Sequence, residues 1–539
     1  MKTFLHFQCL SMVNIKAACV MLTIGLGLVF FSNSETKTKK TWTINSNDIH
    51  ACANHQETGL HPITTEEIQL LEEMFKSALP TNPIAEGCWF SDTDPEQIAN
   101  SYDIISKAFN GASLIPGDGD TDGFVNQANE RWVTTASGVS PDQGDCVTIT
   151  WSIPPDGSFV VPGGILGLGG SVFTQQMDVI FGCPSADPDP QNHCWFPFLS
   201  NLFDQWSAET GITYIYEPND DGLALAFPGG FIPGPAGQLG VRGDARLFAP
   251  SAGLGFFGGP LGINFFPPTG GEMLLDLVDF QFLWQNPAPT PFGLPLGQAA
   301  LANTIQHELG HGLGLRHVCP TDNTKLMEPF ISLGFFGIQP DDLLSAQRQY
   351  GDRLCGSDVI AVAHPTNSIA QENLSIDDEN DVDLYAISGR RLDAITIDVT
   401  PTGTTYESGI QIIPFPPGTA IGCLPPGDPF YAPPFAAAQQ VDLVVDLLDP
   451  SGAVIATSNV GPAGAVENGI VQFVLPATGN YVIRVSGSGE DAIQGYNISC
   501  ALVSTPVPTM SQWGLMIFGL LVMNMSVFFL RRKKEILSM

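Results

Sequence analysis

Between residues 307 and 317 the chain reads HELGHGLGLRH. His307 and His311 are four apart, so on a helix they share one face, about 6 Å apart along the axis. At that spacing two imidazoles can take two corners of a tetrahedral zinc ion. No further position on the same helix reaches that ion with good geometry. Gly314, lacking a Cβ, can take a left-handed conformation that stops the helix and turns the chain back, which would bring His317 to the metal. Glu308 is then available to hold and deprotonate a water at the open fourth position. This set predicts a metal-assisted hydrolysis, with Zn2+ as cofactor, His307, His311 and His317 as ligands and Glu308 as general base. Gly310 and Gly312 have no firmer role than close packing at the helix end. The plain alternative is a Gly-rich helix end that happens to carry satisfied histidines.

The elements that must position this set are legible around it. Gln298–His311 has good helix formers, with Leu301, Ile305 and Leu309 at four-residue spacing forming a core-facing stripe. From about residue 128 the pattern alternates: CVTITWSI reads as a half-buried strand, FLSNLFDQWSAETG as an amphipathic helix ended by Gly211, and ITYIYE as another strand. A Gly/Pro-rich stretch over residues 227–271 follows, interrupted by a strand at ARLFA. Loops of that length in a folded domain usually serve as functional walls or ion-held crossings. With 539 residues the chain is long enough for about three domains.

His307-Glu308-x-x-His311-x-x-Gly314-x-x-His317 resembles the metzincin signature, and its surroundings are similar to the matrixins. KLMEP, ten residues beyond His317, supplies Met327 and Pro329 in the manner of that family's Met-turn, a non-ligating platform under the metal. IQPDDLLSAQRQYG looks like its last helix, and GDCVTITWSI, FDQWSAETGITYIYE and GEMLLD like its earlier strands and first long helix. The resemblance covers about residues 128–356. It implies a twisted mixed sheet with helices, a cleft in which an extended peptide lies against an edge strand, and cleavage of internal peptide bonds.

The departures are specific. Val318 stands where Ser is usual, the loop to Met327 is longer, and Glu328 replaces an aromatic, all of which bear on subsites rather than on the metal. Residues 218–300 contain no histidine, so no second zinc is expected; Asp276 or Asp244 could serve a calcium ion. The latency motif with cysteine in a Pro-Arg-Cys-Gly context is absent. Cys88, in EGCWF, is a weak candidate for such a switch, and a disulfide with Cys52 is the preferred reading.

Residues 35–127 read as mainly helical and as a candidate pro-region: TTEEIQLLEEMFKSAL carries a capping-box pattern from Thr64 to Glu67, and DPEQIANSYDIISKAFNG runs from Asp94 to Gly111. DGDTDG then spaces Asp118, Asp120 and Asp122 as in a calcium loop, but position twelve is Asn129, and a solvated acidic turn is the alternative. Residues 357–504 read as an all-β sandwich of short alternating strands. The run NDVDLYAISG, VVDLLDPSGAVIA, LPATGNYVIRVSG resembles the bacterial pre-peptidase C-terminal domain, with a Pro-rich insertion near 414–434; Asp377, Asp378, Asp381 and Asp383 lie in a loop that reads first as solvated and second as a calcium site.

Both termini look like targeting segments. Lys2 and Lys16 precede AACVMLTIGLGLVFF and then SNSE, the layout of a signal peptide over residues 1–34, with an uncleaved anchor as the alternative. Trp513–Leu530 is apolar and RRKK follows, enough to span a bilayer with the basic end inside. VPTMSQWG, the apolar run and the basic cluster together resemble the IPTL-CTERM class of bacterial sorting signals, with Val507 and Met510 in place of Ile and Leu. That resemblance implies a Gram-negative cell, a membrane sorting enzyme as partner and removal of the tail (residues 505–539). A permanent single-pass anchor is the alternative.

Of 11 cysteines, Cys9 and Cys19 fall in the leader and none of the rest forms a Cys-x-x-Cys pair, which favours disulfides in an oxidising compartment. Nearest-neighbour pairings are Cys183 with Cys194, Cys319 with Cys355, and Cys423 with Cys500. The net charge of −34, from 21 Lys plus Arg against 55 Asp plus Glu, repels phosphate backbones. Nucleic acid is therefore not an expected partner; a protein or peptide substrate is. The reading is an exported zinc endopeptidase: a multidomain chain with an α+β catalytic domain, an all-β sandwich and hydrophobic terminal segments. The rival reading is a surface adhesion protein with a degenerate peptidase domain, against which the intact Glu308 argues.

Overall fold

The computed structural model describes residues 85–90 and 131–536, apart from 141, 159–168, 185–186, 225–235, 255–259, 268–270, 285–287, 289, 319–322, 355–367, 378–380, 408–433, 488–492 and 505–509. The leader, the calcium-type loop at Asp118, Asp120 and Asp122, Asp378, and the Cys319–Cys355 pairing lie outside the described residues.

Strands first. β1 (Ala85–Phe90) precedes a small hairpin of β2 (Thr134–Thr135) and β3 (Gly138–Val139), then β4 (Val147–Ser152). In β4 the β-branched and aromatic residues of VTITWS form a strand with Ile149 and Trp151 in the core. The chain then builds α1 (Phe173–Phe181) and α2 (Phe196–Glu209) and returns as β5 (Ile212–Tyr216), parallel to β4. Trp206, Leu199, Leu202 and Phe203 form the buried stripe of α2, and Phe203 stacks on Trp151 at 4.1 Å between ring centroids. Rings of this size bury apolar area that dominates a core.

After β5 come β6 (Ala245–Phe248), β7 (Gly262–Phe265) and β8 (Met273–Leu275). Next are α3 (Leu277–Trp284), the histidine helix α4 (Leu296–Gly312), a short β9 (Phe330–Ile331) and α5 (Pro340–Tyr350). The sheet order is β5-β4-β6-β8-β7-β1-β9. β4, β5, β6 and β8 are parallel, while β7 runs antiparallel to β8 and to β1. β7 sits inside the Gly/Pro-rich stretch where only ARLFA reads as a strand; four residues in that context give too little alternation to identify one.

β1, Ala85–Phe90, is a strand of this sheet within the stretch 35–127, whose other residues lie outside the described ones. It overturns the Cys52–Cys88 pairing: Cys88 is a free, fully buried thiol, held inside the sheet. Cys500 is likewise free and buried, which overturns the pairing with Cys423. It lies on a strand opposite Ile397 and points between the two sheets of the sandwich, where it packs as a small apolar residue. Cys183 and Cys194 form the expected disulfide, and Cys146 is also disulfide-bonded.

The second domain has two four-stranded sheets. Its strands are β10 (Ser368–Ile376), β11 (Val382–Gly389), β12 (Ala394–Thr402), a side hairpin of β13 (Thr405–Glu407) and β14 (Pro434–Ala436), then β15 (Leu443–Leu448), β16 (Val454–Ser458), β17 (Glu467–Val474), β18 (Gly479–Gly487) and β19 (Gln494–Val503). One sheet has the order β10-β19-β12-β17 and the other β11-β18-β15-β16. Ile395, Ile397 and Val399 alternate inward on β12 and meet Tyr481, Ile483 and Val485 of β18 in one apolar core, the pattern of a sandwich. SIAQENLSI and QGYNISCALV, which form β10 and β19, are more polar than the strands read from sequence and were not among them.

The sandwich meets the first domain at α5 and α2. Thr404 donates to Asp341, Gln347 Nε2 donates to the Asn373 carbonyl (2.8 Å), and Asn373 Nδ2 donates to Glu209 Oε2 (3.2 Å). The last described element, α6 (Met510–Ile536), contains a span, Gln512–Lys533, long and apolar enough to cross a membrane. The chain is thus multidomain, α+β followed by all-β, with an apolar C-terminal helix.

Candidate metal centre

The glycines of HELGHGLGLRH have distinct tasks. α4 ends at Gly312, Leu313 keeps a helical conformation, and Gly314 takes φ +94°. Leu315 N–H then donates to the Gly310 carbonyl (3.0 Å) and Gly314 N–H to the His311 carbonyl (2.9 Å), the paired bonds of a Schellman motif. The buried helix end is satisfied further by Trp132 Nε1, donating to the Gly312 carbonyl (2.8 Å), and by Tyr350 Oη, donating to the Leu313 carbonyl (2.9 Å). A Cβ on Gly310 would stand 2.4 Å from Met327 Sδ, and one on Gly312 would stand 2.8 Å from Asn264 Nδ2. Gly310 therefore lets Met327 slide under the histidines, and Gly312 lets β7 reach the helix.

The turn at Gly314 brings His317 back. His307 Nε2 and His311 Nε2 each lie 3.2 Å from His317 Nε2, close to the edge of about 3.3 Å between nitrogens of a tetrahedral zinc with Zn–N near 2.0–2.1 Å. The other ring nitrogens are committed: His307 Nδ1 lies 2.6 Å from the Leu326 carbonyl and His311 Nδ1 2.7 Å from the Leu315 carbonyl. A carbonyl only accepts, so both Nδ1 atoms carry the proton and both Nε2 atoms present lone pairs. One proton on His317 Nε2 serves one of those two directions, and a cation at the centre satisfies all three at once. Burial, and after it the neighbouring His317, drive the His307 pKa down to about 3. Burial likewise pushes His311 far down. Neutral rings are the form a metal requires.

The floor of the site is built from chain far beyond the motif. The Asp342 carboxylate accepts from Leu326 N–H and Met327 N–H (both 3.0 Å), and Leu326 in turn holds His307 by its carbonyl. Asp342 also accepts from Gln339 N–H as part of the capping box of α5. The start of α5 therefore positions His307. Asp342→Ala is expected to weaken zinc affinity about 10- to 100-fold, read by competition with a chelating indicator. Glu328 bends its carboxylate onto Asn323, Thr324 and Lys325 N–H groups at 2.8–3.1 Å and so closes the loop before Met327.

Glu308 and β7 face each other. Asn264 Nδ2 donates to the Glu308 carbonyl, and a Cβ on Gly262 would stand 2.6 Å from Glu308 Cγ, so only glycine admits the carboxylate here. The edge of β7 is paired by β1, antiparallel to β7 from Ala85 opposite Phe265 to Cys88 opposite Gly262, and parallel to β9 through Trp89 and Phe90. At the crossover, Cys88 Sγ donates to Glu308 Oε1 at 3.0 Å. Cys88, His307 and Glu308 form the second of two compact metal-capable groups among the described residues; the first is the three histidines. Burial, and after it the Glu308 charge, push the Cys88 thiol well up, so it stands as the protonated donor.

The residues expected from sequence thus divide cleanly. His307, His311, His317, Glu308, Met327 and Gly314 come together. Asp276 and Asp244 do not join a metal group: Asp276 accepts from Leu254 and Asp279 N–H, and Asp244 from Ala136 and Thr150 N–H, bracing loop and sheet. Cys88, Asp342 and Gly262 went unassigned or undervalued, since each meets the motif only through the fold. Replacing Gly314 by Val should cost about 1–3 kcal/mol of backbone strain and lose bound zinc, although residue 314 touches no ligand atom; metal content and Tm would both fall.

No family model and no curated protein match this chain. Twelve chains of solved structures do. One is the crystal structure of Aeromonas hydrophila PliG, a periplasmic lysozyme inhibitor of g-type lysozyme. It is 14% identical, with 26% of this chain and 92% of that chain covered and a TM-score of 0.15; a superposition of that quality carries no argument.

Proposed function

We propose that this chain is an exported zinc endopeptidase of metzincin type, held at a membrane by α6 and latent while β1 fills its cleft. The convergence of three Nε2 atoms beside Glu308, under the edge of β7, carries the reading. Met327 beneath the histidines supports the matrixin-like assignment.

A substrate would take the place of β1, its backbone paired with β7 on one side of Glu308 and with β9 on the other. Zinc, when bound by His307, His311 and His317, would polarise the scissile carbonyl and make water acidic near neutral pH. Glu308 takes one proton from the attacking water and delivers it to the leaving nitrogen. The water oxygen bonds to the carbonyl carbon, the C–N bond breaks, and the products are an amine and a carboxylic acid, whose remaining proton passes to the amine or to solvent to leave a carboxylate. His307 and His311 hold their tautomers through the Leu326 and Leu315 carbonyls and so keep their lone pairs on the ion.

The test is cleavage of an unfolded protein by the full chain with β1 displaced by mild denaturant or by limited proteolysis. Chelation should abolish cleavage and added zinc restore it. Cleavage that survives complete zinc removal would overturn the proposal.

A further inference from the structure

One end of the sandwich combines exposed aliphatic side chains with two exposed arginines. Ala394, at the start of β12, is paired on one side with Val474 and on the other with Val503. All three face outward, because Ile395 and its alternates fill the core. Val474 is 54% exposed and Val503 67%. The turn leading into β12 is Arg390-Arg391-Leu392-Asp393, with Arg390, Arg391 and Leu392 all exposed. Leu392 has φ +74°, a backbone that L side chains rarely adopt. The turn is pinned in that shape: Asp393 accepts from Arg390 N–H (2.8 Å), and Leu392 N–H donates to the Leu475 carbonyl (2.9 Å). A rigid tip thus presents an aliphatic side chain between two arginines and solvent, in a chain whose net charge is −34.

The opposite end of the same strands is already occupied. Thr402 and Gly495, at the far end of β12 and the start of β19, lie against Leu344 of α5. A nine-residue strand separates the two ends, roughly 26–30 Å.

Chain connectivity says what lies beyond the free end. Val503 is the last residue of β19 and Met510 the first of α6. Seven residue steps at full extension reach at most about 25 Å. The apolar span begins at Gln512, two helical residues further, so Val503 is leashed within about 28 Å of the start of the span and Ala394 and Val474 lie one and two strands beyond it. Arg531, Arg532, Lys533 and Lys534 at the far end of α6 place that end inside, and the sandwich on the outer face.

We propose that this pole, Arg390, Arg391 and Leu392 with Val474 and Val503, rests on the lipid surface, the arginines at anionic headgroups and the aliphatic side chains at the interface. The sandwich is then a stand that holds the metal domain one strand length above the membrane. The inference rests on the reading of α6 as a span and is independent of the peptidase reading.

The test uses the full chain in vesicles of phosphatidylcholine and phosphatidylglycerol that contain a lipid with a photoreactive diazirine in the headgroup region. After irradiation, lipid adducts are mapped by mass spectrometry. Adducts are expected on α6 and on peptides holding residues 390–392, 474 and 503, and not on Val139 or Leu239, which are exposed on the metal domain. Labelling of the pole should fall in vesicles of phosphatidylcholine alone. In R390E/R391E/L392E the adducts at 474 and 503 should be lost while those on α6 persist. Adducts confined to α6 in the native chain would overturn the docking but leave the anchor intact. Failure of the chain to float with the vesicles would overturn both. Crosslinks joining two pole peptides would assign the surface to a second copy and overturn the lipid proposal.

Discussion

Glu308→Ala is expected to retain one zinc per chain and to lower protein cleavage by about 10²–10⁴-fold, the usual contribution of a positioned general base. Zinc should stay because the three Nε2 atoms are held by Leu326, Leu315 and the Gly314 turn, none of which depends on the Glu308 side chain. Glu308→Gln is the sharper variant. It keeps the volume packed under Gly262 and changes only the capacity to take a proton. Both variants should lose activity alike, measured as initial rates at saturating zinc. A Gln variant that cleaves as the parent does would reassign Glu308 to packing and remove the proposed base.

Cys88→Ala should act in the other direction. The thiol reaches Glu308 Oε1 at 3.0 Å and shares a metal-capable group with His307, so on the proposed peptidase reading it stands where water and substrate would enter. A hydrogen bond to a charged group is worth about 1.5–3 kcal/mol, so removing it should raise the rate of the uncleaved chain roughly ten- to a hundredfold. The β1 backbone still pairs with β7 and β9 in that variant, so removing β1 altogether should raise activity further. Rates on one unfolded substrate, compared before and after limited proteolysis, check both steps. Equal rates for parent and Cys88→Ala, with zinc bound to each, would contradict latency through the thiol.

What could be read in advance follows from separation along the chain. The three histidines, Glu308 and the helix stop lie within 11 residues, where spacing and the conformational freedom of glycine already dictate geometry. Leu301, Ile305 and Leu309 are buried as expected, but so is every residue from Ala299 to Gly312, so the stripe understates a helix buried all round. Alternating strands such as β11, β12 and β18 were equally legible, because a period of two needs no tertiary information. Cys88 lies 220 residues from Glu308, and nothing in EGCWF says which strand will pair with it. Asp342 reads locally as an acidic residue in the first turn of a helix, which it is, and only the fold adds the Leu326 and Met327 amides that make it a support of His307. β7 was hidden because its pairing partners, rather than its GINF sequence, make it a strand. Asp244 and Asp276 show a related ambiguity: a carboxylate in a loop can bind an ion or accept from backbone amides, as both do here, and sequence does not distinguish the two.

The central claim is that His307, His311 and His317 hold one metal ion. Native mass spectrometry of the chain after equilibration with zinc tests it most directly, with Glu308→Ala and His317→Ala alongside. One zinc per chain in the parent and in Glu308→Ala, and none in His317→Ala at the same free zinc, is the predicted result. No zinc in the parent, or the same zinc in His317→Ala as in the parent, would contradict it.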